Sequence, residues 1–417
     1  MIEREILADG MTLLFEDVPG VQSAALGVWL RLGSRHEPTR LSGICHFIEH
    51  LVFKGTAHRS AREISLLTDR IGGNIDAFTT KESTTFYARV LEEHLPIAVD
   101  LLADIVRNPL FDKLELERER KVILEEIRMV NDSPEERLYD LYCESAWGGH
   151  PLGRPIQGTT ASVSAMSRNT VLNFFKQAYV PSNLVVAAAG KLTAKDRDLI
   201  RRAFTGLPGG KRADAGRGPR FRPGIVKEHR KQMEQVHVML GFPGLASGDD
   251  GRFAAHMLNT VLGASISSRL FRSIREERGL VYSVGSSLHA HEGGGMLTVY
   301  AATSPEKVSE VLSLALYELK RIAQEPPSVD EVDVARDHVK GNMLLSLEST
   351  SSRMSRMARE EMVLGRSMTT DEILERIEST GPSEIQDMAM RLFRGAAACA
   401  IIGPTAKLKV KAGDLEL

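Results

Sequence analysis

Cysteine is scarce: Cys45, Cys143 and Cys399 are the only three in 417 residues. An odd number, so widely spaced, builds neither a disulfide framework nor a paired-cysteine metal knuckle. Charge of one sign is also lacking. The formal net charge of −2 leaves no basic footprint, which argues against nucleic acid and anionic membranes as partners. No apolar run reaches membrane-spanning length, and "MIEREILADGMTLLFED" has no apolar core of a signal peptide. The expectation is a soluble, reducing, cytoplasmic setting without membrane insertion. The Gly-rich pieces "GLPGG" and "HEGGG" lack the strand–loop–helix context and the lysine of a nucleotide site.

What is present is ordinary globular material, 42% hydrophobic and 26% charged. At 45.9 kDa the chain is too long for one hydrophobic core, so two domains or one large unit are expected. "REILA", "DG" and "MTLLFED" read as strand, turn, strand, and "VQSAALGVWLRLGSRHE" continues as a strand whose apolar run only partly alternates. "SAREISLLTDRIGG" reads as a helix capped by Ser60, with Glu63 completing a capping box. "NIDAFTTKESTTFYARVL" reads as strands around a polar turn, and helices are predicted over 95–107, 112–131 and 134–147. "LPGGKRADAGRGPRFRPG", residues 207–224, has little to bury and is a linker by composition. Beyond it the elements recur in a similar order, which suggests an internal duplication. His150 lies in a Gly/Pro loop with no partner at metal spacing and is read as structural.

The informative stretch is "GICHFIEHLVFKGT". On a helix, His46, Glu49 and His50 share one face, because residues three and four apart are neighbours. Two imidazoles one turn apart can bind a zinc ion, and a carboxylate beside them can accept a proton from a hydrolytic water. The bland alternative is a chance pair of hydrogen-bonded or exposed histidines. A hydrolytic zinc site needs a third protein ligand, and the helix "LELERERKVILEEIRMV" offers several glutamates. Glu119 and Glu126 fall on the stripe marked by Val122, Ile123 and Val130, whereas Glu125 belongs with Arg118, Lys121 and Arg128. Glu126 is therefore the better ligand candidate, with Glu119 orienting a ligand or water. Pairing of both glutamates with local arginines is the competing reading.

With "GGNIDAFTTKESTTFYA" and "ILEEIR" added, the chain resembles the inverted-zincin peptidases of the pitrilysin family, nearest to the β-type subunits of mitochondrial processing peptidase and their bacterial homologues. The offset from His50 to Glu126 agrees with that family's spacing. The resemblance implies an α+β fold of two homologous halves, each a mainly antiparallel sheet packed against helices. It implies a zinc-binding catalytic domain over 1–206, the linker 207–224, and a domain over 225–417 that binds no metal and closes a substrate chamber. It makes His46, His50 and Glu126 the ligands of one zinc ion, Glu49 the base that takes a proton from the attacking water, and Glu119 a supporting group. "SISSRLFRSIREERGLVYSV" resembles the family's second-half signature, so Arg275 and Tyr282 are implied to hold substrate or intermediate. Asp76, Ala77 and Phe78 are implied to bind an extended peptide. The implied activity is endopeptidase action on extended or unfolded peptides, by a homodimer in a bacterial setting. Departures are modest: Cys45 stands where alanine is commoner, Leu51 where methionine is frequent, and Asp76 where asparagine is usual. A catalytically silent subunit and a zinc enzyme acting on something other than peptides are the rival readings. The intact set of His46, His50, Glu49 and Glu126 argues against the first.

Overall fold

The computed structural model describes residues 2–417. The first sheet contains β1 (Ile2–Ile6), β2 (Thr12–Asp17), β3 (Ser23–Leu30), β4 (Asn74–Thr79), β5 (Thr84–Leu91) and β6 (Leu184–Gly190). Its order is β1-β2-β6-β3-β5-β4, and only the β2–β6 pairing is parallel. The second sheet contains β7 (Gly224–His229), β8 (Val236–Gly244), β9 (Val281–His291), β10 (Gly294–Thr303) and β11 (Ala398–Gly403). Its order is β7-β11-β8-β10-β9, with β7–β11 the one parallel pair. Setting β1 aside, the two orders are the same. The predicted α+β fold of two similar halves is what the chain adopts.

The halves differ from the predicted 1–206 and 225–417 in the helices they hold. Two compact units form, the first from 1–128, 154–215 and 345–367, the second from 129–153, 216–344 and 368–417. Each half of the sequence thus gives up a helix. Thr350–Leu364 packs on β6 and β3 of the first sheet, and Pro134–Trp147 packs on β11, β8 and β7 of the second.

Side-chain alternation explains why the first sheet needs that helix. Leu13, Phe15, Leu26, Val28, Val186 and Ala188 face the main core of the first unit. Their neighbours Leu14, Ala25, Trp29, Val185 and Ala187 point the other way and are covered by Met354, Met357 and Ala358. A sheet buried on both faces reads as nearly continuous apolar strands, which is why the alternation along β3 is weak. Polar contacts seal the same helix: Glu361, 3% exposed, accepts from Arg4 at 2.7 and 2.9 Å, and Arg353 donates to Glu16 at 2.6 Å.

The linker also departs from expectation. It has no regular structure before β7 begins at Gly224, yet Leu207 and Ala213 pack on the first core. Ala213 N donates to Oδ1 of the buried Asn183 at 2.7 Å, and Arg35 Nε donates to the carbonyl of Ala215 at 2.8 Å. Sparse side chains and backbone hydrogen bonds hold it in place. His150 is structural: its Nε2 lies 2.9 Å from the Arg217 carbonyl, and its Nδ1 accepts from Leu152 N. Among the described residues no helix is long and apolar enough to cross a membrane.

Candidate metal centre

After β3 the chain passes through two short helical turns, Ser34–His36 and Thr39–Leu41, and reaches Gly43. Gly43 has φ +93°, and a Cβ there would lie 2.3 Å from the Gln157 carbonyl oxygen. Only glycine allows this entry to the next helix. That helix, Ile44–Val52, buries Ile44, Cys45, Phe47, Ile48, Leu51 and Val52. The remaining face carries His46, Glu49 and His50, as the spacing predicts.

The glutamate-bearing helix, Lys113–Asp132, buries Leu116, Glu119, Ile123 and Ile127. Its packed stripe is thus shifted from the predicted one, for Val122 is 43% exposed. Both glutamates nevertheless face the histidines. Glu126 Oε2 lies 3.7 Å from His46 Nε2 and 3.5 Å from His50 Nε2. Ligand atoms bound tetrahedrally to zinc at 2.0–2.1 Å stand about 3.3 Å apart, so Glu126 and each histidine need to close by only a few tenths of an ångström. Among the described residues His46, His50 and Glu126 form the one trio of this kind. Glu125 instead pairs with Arg128 on the exposed face.

Glu119 approaches from the other side of the ring. Its Oε2 lies 3.1 Å from His50 Nδ1, and its Oε1 accepts from Lys54 Nζ at 2.8 Å. A proton on Nδ1 donated to Glu119 leaves the Nε2 lone pair directed at Glu126 and a shared metal. Burial, and to a lesser degree His50, push the His46 imidazole down to about 3, so it stays neutral as a ligand must. The donor set therefore fits a zinc ion with an open position.

Glu49 sits beside the donors. Burial raises its carboxyl above the ordinary range, against the pull of the Thr79 hydroxyl, which donates to Oε2 at 2.5 Å. A raised carboxyl is suited to general-base work near neutral pH. Thr79 closes β4, whose side chains alternate exposed and half-buried. Among the described residues β4 has a partner only in β5, so Asp76, Ala77 and Phe78 lie on an edge strand. Asp76 is held by its own strand and its neighbour β5, with Oδ1 accepting from Ala77 N at 2.8 Å and Oδ2 3.5 Å from the Tyr87 hydroxyl. In the second unit the Arg275 guanidinium stacks over Phe271 at 4.8 Å and Tyr282 at 5.2 Å, and Tyr282 is 79% exposed. Sequence reasoning missed Thr79 and Lys54. Thr79 is one of several threonines in "FTTKESTT", with nothing local to single it out.

Known proteins resemble the chain along its whole length. Residues 12–160 match the family described as insulinase (peptidase family M16), and residues 165–339 match the peptidase M16 inactive domain. A Bacillus subtilis protein called an uncharacterized zinc protease is 36% identical over 408 residues, covering 98% of this chain and 100% of the relative. A Mycobacterium tuberculosis protein of the same description is 39% identical, covering 96% and 93%. Among solved structures, a Helicobacter pylori protease superposes with TM-score 0.89 at 20% identity over 96% of this chain and 99% of the other. A chain from Candida albicans complex III superposes with TM-score 0.86 at 17% identity, covering both chains fully.

Proposed function

From the premise that this chain belongs to peptidase family M16, we propose that it is a zinc-dependent endopeptidase acting on extended or unfolded peptides. The observation that carries the reading is the meeting of His46, His50 and Glu126 beside Glu49, with Glu119 Oε2 3.1 Å from His50 Nδ1. One zinc ion per chain, held by that trio, would supply Lewis-acid polarisation of the scissile carbonyl and a lowered pKa for water.

Glu49 takes the proton from the attacking water and returns it to the leaving amine. Thr79 engages Oε2, so Oε1 is the oxygen that handles the proton. The open edge of β4 supplies main-chain donors and acceptors for an extended peptide, which would add as a further strand alongside Asp76, Ala77 and Phe78. Thr79 ends that strand and touches the base, which ties substrate alignment to proton transfer. Arg275 and Tyr282 are proposed to hold substrate groups. The working form is proposed to be a homodimer, which sedimentation would check.

The likeness to a complex III chain makes a silent subunit the second reading, since the fold is shared. The complete set of donors and base favours hydrolysis. Cleavage of a quenched-fluorescent peptide library by the native protein and by Glu49→Gln separates the two. Native activity is expected to fall about 10³-fold in the variant with its metal retained. Metal-loaded native protein that cleaves nothing would favour the silent subunit. Preference for arginine-rich presequences over generic peptides would distinguish processing from degradation.

A further inference from the structure

The two histidines are anchored in different ways. His50 is held through its ring, with Nδ1 on Glu119. His46 has no such tether, because its Nδ1 is buried and meets no hydrogen-bond partner among the described residues. The direction of the His46 ring is therefore set by packing and by its backbone.

That backbone is clamped immediately upstream. Glu37, 4% exposed, accepts from Gly43 N through Oε2 at 2.7 Å and from Cys45 N through Oε1 at 2.9 Å. These amides lie at the start of the helix, where no intrahelical carbonyl can accept from them. A carboxylate at that end is also favoured by the helix dipole. Glu37 is itself secured, since its carbonyl accepts from Arg154 Nη2 at 2.8 Å. Burial pushes its carboxyl up to about 7, and the Cys45 and Gly43 amides pull against that rise.

We propose that Glu37 is a positioning residue for the metal: by bridging the amides of Gly43 and Cys45 it fixes where the helix begins, and so where His46 projects. It does for His46 through the backbone what Glu119 does for His50 through the ring. The inference rests on the zinc reading of the site and adds a residue six positions before the helix entry at Gly43.

Glu37→Gln tests it, because the amide keeps the shape but turns an NH₂ group toward a backbone N–H. Zinc affinity is measured by chelator competition on native and variant protein, alongside the visible spectrum of the cobalt(II)-substituted forms. The expected result is about tenfold weaker zinc binding and shifted cobalt bands, within the range for residues that orient metal ligands. Combined with Glu119→Gln the losses should multiply, since the two glutamates act on different ligands. A variant that melts at lower temperature yet binds zinc with native affinity and unchanged cobalt bands would overturn the proposal, leaving Glu37 a structural cap. Should Glu37→Gln not fold, Glu37→Asp is judged by the same two readouts. Native protein that takes up no zinc would remove the underlying reading instead, and is thereby distinguishable.

Discussion

The two units share a strand order but not a chemistry. After β3 the first unit places Ile44–Val52, with two histidines and a glutamate on one face. After β8 the second places Arg252–Asn259, which has one histidine, His256, and no carboxylate. In both cases a helix follows the corresponding central strand, so topology is not what makes a metal site. The proposed site rests instead on four side chains from two helices, with Glu119 against the ring of His50. The second unit spends its buried charge differently: Arg269, 5% exposed, forms a two-pronged ion pair with Glu331 at 2.7 and 2.9 Å.

The largest predicted effect breaks the likeness between the units at the exchanged helix. Glu361→Ala removes the buried carboxylate that accepts twice from Arg4 on the first sheet's outer face, while Arg31 keeps the Met362 carbonyl. Thermal unfolding should report a loss of about 3 kcal/mol, the scale for losing two hydrogen bonds to a charged group. A loss below about 1 kcal/mol would mean that apolar packing alone holds that helix.

Glu119→Gln sharpens the contrast at the metal centre. Zinc affinity should fall about 10- to 100-fold with the fold unchanged, as measured by chelator competition. Unaltered affinity would show that His50 needs no orienting partner.

The smallest effect belongs to the second unit. Its Glu331 carboxyl is held down to about 2: the Arg269 side chain and the Ser328 amide outweigh burial, which acts in the opposite direction. A lowered folded-state pKa means stability that is present above the unfolded value and lost as pH falls through the folded one. Glu331→Gln should therefore cost on the order of 1–2 kcal/mol at neutral pH, discounted for solvent screening. That difference should vanish as pH drops from about 4.5 toward 2. A pH-independent difference in denaturant midpoints would contradict this.

How much of this was legible follows from where each signal sits along the chain. The HFIEH face, the Ser60–Glu63 capping box and the long helices are local, with periodicity of 3.6 to declare them. Ser60 and Glu63 do form the reciprocal cap, with Ser60 N donating to Glu63 at 2.8 Å. Helix exchange was not legible. Both sheets bury a second, apolar face, and the helices Pro134–Trp147 and Thr350–Leu364 carry no mark of which sheet each will cover. β7 was hidden beside the Gly- and Pro-rich stretch, where "GIVKEH" has little alternation and pairs with a strand more than 170 residues away, as in Gly224↔Ala398. Helix Ala194–Phe204 was overlooked although Thr193 and Asp196 spell a capping box. At the site, Glu126 could be ranked above Glu125 by helix face, but Thr79 and Glu37 act through contacts that no spacing rule encodes.

The central claim is that the first unit, and not the second, holds one zinc ion on His46, His50 and Glu126. Metal content per chain, measured by mass spectrometry on native protein and on Glu126→Gln purified without chelator, tests it most directly. About one zinc per native chain and a large loss in the variant are expected. Native protein without zinc, or a variant that keeps its full complement, would contradict it.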